Sequence, residues 1–201
     1  MSEVAIINLA LTEIGSTRRI IDRQEGTAEA KAADTVFDHH RDRLLRSHIW
    51  NFATRRAQLA RSARIPSHQW AHQHFLPPDF MRAIVVSASE RGSQNILYDL
   101  AHDENDGHVV LSDSEDLWLT YVGKVTDTEQ MPPDFQHALA TSIAIPLASA
   151  LKQSNTTMDI MERRHREAVV AAKSTDGIET WAQQFPVGSW VTARHGGRSG
   201  W

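Results

Sequence analysis

The sequence predicts a mixed α+β fold: an antiparallel-type bundle of about four helices, interrupted by a small β module and followed by an extended C-terminal tail. Three observations predict it. Apolar residues recur at helical spacing before residue 49 and again after 131. Short β-prone runs bounded by turn residues lie between them. Beyond residue 174 the chain is rich in glycine and tryptophan and keeps no period. The helical part is thus 1–49 with 131–173, the β-rich insertion is 50–130, and the arm is 174–201.

Val4, Ile7, Leu11 and Ile14 recur at intervals of three and four, placing a first helix over 2–14 with Gly15 as its stop. Thr27 suits the N-cap of a second helix that runs to His48, with Ala33, Val36, Phe37, His40 and Leu44 along its apolar stripe. Asp42 and Arg46, four apart, form a predicted surface pair. The stretch LLRSHIWNFATRRAQLA (44–60) then leaves the helix through Trp50 and enters an arginine-flanked strand. A large aromatic at that junction can pack against both layers.

The β-prone runs are 52–60, 69–75, 81–88, 95–100, 108–112 and 117–125. Leu76-Pro77-Pro78-Asp79 breaks the sheet, because neither proline can donate to a ladder. Asn105-Asp106-Gly107 is a hairpin turn. Leu117, Leu119 and Tyr121 alternate with Trp118, Thr120 and Val122, which predicts a strand buried on both faces. Pro132-Pro133-Asp134 opens a third helix carrying Phe135, Leu139, Ile143, Leu147 and Leu151, with a kink at Pro146. A fourth helix starts at Asn155-Thr156-Thr157, ends near Lys173 and buries Met158, Met161, Ala168 and Ala172.

Composition excludes several chemistries. The 201 residues include no cysteine, which removes disulfides, thiolate zinc sites and cysteine nucleophiles. No apolar stretch approaches the ~18 residues that span a bilayer, so no membrane partner is expected. The N-terminus, MSEVAIINLALTEIG, carries Glu3 and no basic region and does not read as a secretory signal. A net charge of -4 argues against a surface that grips nucleic acid throughout. GxSxG, Walker A and GxGxxG patterns do not occur in a fitting context. Among eleven histidines, His72 and His74 share a predicted strand face with His68 nearby, but no HExxH accompanies them. The Asp103–Gly107 run fails as a calcium loop, because Gly107 falls where an oxygen ligand is needed and Ser114 where glutamate is. No cofactor or metal is therefore expected.

Charge is placed unevenly. Residues 41–64 hold seven arginines against one acid, Asp42, whereas 99–116 hold seven acids and no lysine or arginine. The runs read either as two solvated faces or as complementary patches that meet, within the molecule or between copies. The tail spaces Trp181, Phe185, Trp190 and Trp201 along a segment too poor in apolar surface to order by itself. It reads either as a loose terminus or as an arm that orders on a partner with tryptophan anchors.

Several stretches together carry a resemblance: Asn8-Leu9-Ala10-Leu11 with Ile14-Gly15; Leu45, Trp50-Asn51-Phe52-Ala53, Arg56-Ala57 and Leu59-Ala60; Leu76-Pro77-Pro78-Asp79-Phe80-Met81-Arg82; and Tyr121–Val125 with Asp127, Met131-Pro132-Pro133-Asp134-Phe135 and Ala138-Leu139-Ala140. In order and spacing they resemble the phage head-to-tail adaptors, the tail tubular protein A family of short-tailed phages. The resemblance covers the chain to about residue 152; Pro146 and the tail after 174 depart from it. It implies a non-enzymatic structural virion protein of the tail or neck, assembled in the host cytoplasm. The implied assembly is a homo-oligomeric ring, commonly a dodecamer, between the portal protein and the tail nozzle protein, with DNA passing through non-specifically.

On that reading Arg55, Arg56, Arg61 and Arg64 face Asp103, Glu104 and Asp106 of a neighbouring subunit, and Trp181, Phe185, Trp190 and Trp201 bind the portal. The rival readings are a tail-associated peptidoglycan hydrolase, which needs a carboxylate pair in a cleft, and a non-specific DNA-binding module.

Overall fold

Ser2 and Thr27 begin the two N-terminal helices by accepting hydrogen bonds from the N–H groups of Ala5 and Ala30, each at 3.2 Å. The computed structural model describes residues 1–90 and 96–179. Those residues form a mixed α+β architecture with helices α1 (Glu3–Glu13), α2 (Ala28–Ser47), α3 (Pro133–Leu147) and α4 (Asn155–Glu179). Between α2 and α3 lie the strands β1 (Thr54–Leu59), β2 (His72–Phe75), β3 (Phe80–Ser87), β4 (Asp99–Asp103), β5 (Gly107–Ser112) and β6 (Leu117–Gly123). They make two antiparallel sheets, in the orders β1-β6-β3 and β2-β5-β4. No described helix is long and apolar enough to cross a membrane.

The helices centre on α3. Its run from Phe135 to Ala144 is buried except at His137, and it touches α1, α2 and α4. A helix enclosed on all sides needs apolar or small residues around its whole circumference, which is what PDFQHALATSIAIPL supplies. Pro146 has no N–H to return to residue 142; the helix continues through Leu147 and then widens into a π-helical turn at Ala148–Lys152. Gln153, in the left-handed region at φ 48°, ends that turn.

Two hydrophobic clusters divide the interior. The larger joins all four helices to Trp50, Ala53, Val122 and Val125. The smaller lies in the β module around Leu59, Val86, Val110, Leu117, Leu119 and Tyr121. Trp50 is 1% exposed; its Nε1–H donates to the Leu44 carbonyl at 3.0 Å and its ring meets Phe135 edge-on at 5.1 Å. The chain leaves α2 through a tryptophan because that ring seals the end of the helical core where the β module begins.

Three expectations are corrected. Asp42 pairs with Arg41 and Lys124 instead of Arg46, because Arg41 is 3% exposed and draws both Asp38 and Asp42. The second face of β6 is covered only in part: Trp118 and Thr120 are half-buried, while Leu117, Leu119 and Tyr121 are buried. The last helix runs on to Glu179, past the boundary at 173, because Asp176 is held by the start of the β module. Its Oδ1 accepts the Asn51 N–H at 2.9 Å, and its backbone carbonyl accepts Asn51 Nδ2–H at 2.7 Å. The predicted portal-binding residues Trp181, Phe185, Trp190 and Trp201 lie outside the described residues.

Candidate functional site

The stretches that carry the family resemblance are far apart in sequence and meet at two points. At one, Trp50, Phe52 and Phe135 stack together, with Phe52 4.9 Å from Phe135. At the other, Asp79 of the Leu76–Arg82 stretch is a hub. One carboxylate oxygen forms a short ion pair with Arg55, the other accepts the Tyr121 hydroxyl at 3.0 Å, and the backbone carbonyl accepts the Lys124 N–H at 2.7 Å. Burial first, then the bond to Asp79, raises the Tyr121 pKa, so the phenol stays a donor.

Gly123 lets this hub form. A Cβ there would sit 2.7 Å from Arg55 Cδ and 2.8 Å from Asp79 Oδ2. Gly123→Ala is expected to push the ion pair apart and cost about 1–3 kcal/mol of stability, the usual range for an overpacked site. Thermal unfolding of the variant checks this; an unchanged midpoint would show that Arg55 and Asp79 adjust at no cost.

The charged runs partly neutralise each other within one chain. Arg61 lies 3.7 Å from Glu115, and Arg64 Nε lies 3.9 Å from Asp106. Asp106 also accepts hydrogen bonds from Ser62 Oγ and from Gln73 Nε2, the latter at 2.7 Å. Asp103 caps the hairpin turn by accepting the Asp106 and Asn105 N–H groups, each at 2.9 Å, which lowers its pKa. Gly107, at φ 71°, completes that turn. Glu104 and Arg56 are exposed. Of the seven arginines between 41 and 64, four (Arg41, Arg55, Arg61 and Arg64) have carboxylate partners, leaving Arg43, Arg46 and Arg56 without one among the described residues.

Sequence reasoning missed a groove of about 450 Å³ between α2, α3 and α4. Leu44, Ile145 and Val169 line it, with Arg43, Arg166, Lys173 and Glu162 around them. His40 Nδ1 lies 2.7 Å from Ser142 Oγ, and His165 Nδ1 lies 3.2 Å from the Ala138 carbonyl. Burial pushes the His40 pKa down to about 4, helped by His39, Arg43 and His165; burial likewise lowers that of His165. The Ser–His distance is that of a nucleophile and its base, but the surroundings are not. Ser142 is 7% exposed in the middle of a helix, and the charged groups that act on His40 are all cations, so no carboxylate orients the ring. Its role is to tie α2 to α3. Only the α2 stripe hinted at this groove, because its α2 wall lies far in sequence from its α3 and α4 walls, as the 102 positions between His40 and Ser142 show.

The strand histidines take separate partners. His74 is fully buried, with Nε2 3.0 Å from the Glu115 carbonyl, while His72 is half-buried. His102 and His108 are cross-strand partners with ring centroids 4.9 Å apart, a pairing invisible without the register. Among the described residues no group of three or more histidine and carboxylate side chains is placed to hold a metal ion. No protein-family model matches this sequence, and no curated protein matches it.

Proposed function

We propose that this chain is a structural head-to-tail adaptor of a short-tailed phage. Its helices form the bundle of a homomeric ring, commonly twelve-fold, seated between the portal and the tail nozzle, and DNA passes through the channel with non-specific contact only. The observation that carries this reading is the convergence of the resembling stretches. Trp50 and Phe52 meet Phe135, and Arg55 meets Asp79 and Tyr121, so the spaced motifs form one elbow between helices and sheet. A wedge-shaped ring subunit needs a fixed angle between two layers, and this elbow fixes one. The groove contributes no catalytic arrangement, which favours a protein that acts by surface fit.

The test is negative-stain imaging of the purified full-length chain mixed with its portal. Rings of this protein stacked on the portal are the expected result. Portal particles that remain bare at saturating adaptor concentration would overturn the reading.

A further inference from the structure

We infer that the groove between α2 and α4 is the cationic half of a contact between two copies of this chain, and that it receives the acidic β5–β6 loop, Asp113–Asp116, of the second copy. The inference rests on the adaptor reading insofar as the repeated contact builds a ring, and it names the surfaces that reading leaves open.

The groove holds a charge imbalance that one chain does not resolve. Arg43, Arg166 and Lys173 border it, and none has a carboxylate partner among the described residues; the one acid lining it is Glu162. The mutual repulsion is felt locally, since Arg43 contributes to holding His40 and His165 neutral. Clustered cations over a partly apolar floor gain when an anion enters, and since Arg43 and Arg166 are exposed the gain comes from several weak pairs acting together.

The loop has the opposite imbalance. Asp113, Glu115 and Asp116 are all exposed, and the one cation paired with them among the described residues, Arg61, stands 3.7 Å from a Glu115 that is itself 79% exposed. The loop is also rigidly presented. Asp113 accepts the Ala71 N–H at 3.0 Å, the Glu115 carbonyl binds His74, and Ser114 Oγ donates to the Asp116 carbonyl at 2.8 Å. A preordered loop loses little freedom on docking. Among the described residues no ion pair joins this loop to the groove within one chain, so the described part of each copy keeps one unmatched patch of each sign. Two different patches that match each other form a heterologous contact, which closes into a ring when the rotation fits.

A short acidic loop suits the groove better than a nucleic-acid backbone does. Outside the groove α4 also exposes Asp159 and Glu167, which a polyanion lying along the helix would meet and a short loop seated in the groove would not. Val170, 68% exposed and next to Val169 and Arg166 on α4, offers an apolar margin that a protein surface can cover and a phosphate chain cannot.

The experiment is zero-length carbodiimide cross-linking of a mixture of ordinary and nitrogen-15-labelled full-length protein, read by mass spectrometry. Cross-links of mixed isotopic origin between Lys173 and Asp113, Glu115 or Asp116 are expected. The Arg43→Glu/Arg166→Glu variant should lose them, and its self-association measured by sedimentation should weaken at least tenfold. Adding Glu115→Arg and Asp116→Arg to that variant should restore association. The neutral pair Arg43→Gln/Arg166→Gln, with its melting temperature checked, guards against loss through misfolding and should weaken association in the same direction.

Absence of mixed Lys173 cross-links, or charge reversal that leaves association unchanged, overturns the inference. So does a groove variant that loses affinity for a duplex DNA probe while copies still associate. Rings that form on the portal with Lys173 unlinked would remove this contact and leave the adaptor reading standing.

Discussion

Trp50→Ala is expected to lower the free energy of unfolding by about 3–5 kcal/mol, the range for deleting a large buried aromatic. The side chain is 1% exposed, so almost all of its apolar surface returns to water in the unfolded state and a cavity remains in the folded one. Two further losses follow. The Leu44 carbonyl near the end of α2 loses one of its two side-chain donors and keeps Ser47 Oγ at 2.8 Å, and Phe135 loses its edge-on partner at 5.1 Å. Phe52, 4.9 Å from Phe135 and half-buried, can close part of the gap, which argues for the lower half of the range. Urea unfolding followed by far-ultraviolet circular dichroism measures the change. A loss below about 1 kcal/mol would mean that the junction repacks freely and that the elbow does not depend on this ring.

Stability is expected to fall as pH drops from about 6.5 toward 4. His40 is neutral in the folded chain down to about 4, whereas the unfolded chain binds that proton near 6.5. Below 6.5 the unfolded state therefore holds more protons, and stability rises with pH across that window. The contribution is fully present above 6.5 and is lost as pH falls through the folded value. Allowing for the half-exposure of the ring, it amounts to about 1–2 kcal/mol.

The groups facing His40 are His39 and Arg43 on α2, Ser142 on α3 and His165 on α4, and none is an acid that would reverse the sign. His165 and His74 add in the same direction through burial; His48 does so more weakly, because Asp176 at 3.4 Å opposes the effect. Unfolding free energies of wild type and His40→Gln between pH 4 and 7 provide the comparison. The variant should show the flatter curve, and parallel curves would assign the acid lability to other groups.

Local chemistry made much of the fold legible. Thr27, Gly15 and Pro133 carry their signals within a turn of where they act, and the first three helices begin within a residue or two of expectation. Five of the six strands were also legible to within a few residues, because turn residues bracket those runs; β4 was expected over 95–100 and lies at Asp99–Asp103. Their division into two sheets was not. β1 pairs with β6 across more than fifty intervening residues, and no periodicity encodes that choice.

The end of α4 was misplaced for a related reason. Ser174, Thr175 and Gly177 are weak helix formers, and what holds them helical is Asp176 reaching Asn51, 125 positions away. The charged runs were visible, but their pairing depended on register. The strand and loop geometry took Arg61 and Arg64 to acids of the same molecule, while Arg43, Arg166 and Lys173 around the groove keep no carboxylate partner among the described residues.

The hold of Asp176 on Asn51 also has a mechanical meaning. The final helix is moored at the bend where the second helix gives way to the first strand, not merely along its flank. Tension applied at the distal tip of that helix would reach this bend before it strained the packed interior. A tug there would tilt the sheets against the helices like a lever on its fulcrum. Whatever is fastened to either part would share the motion.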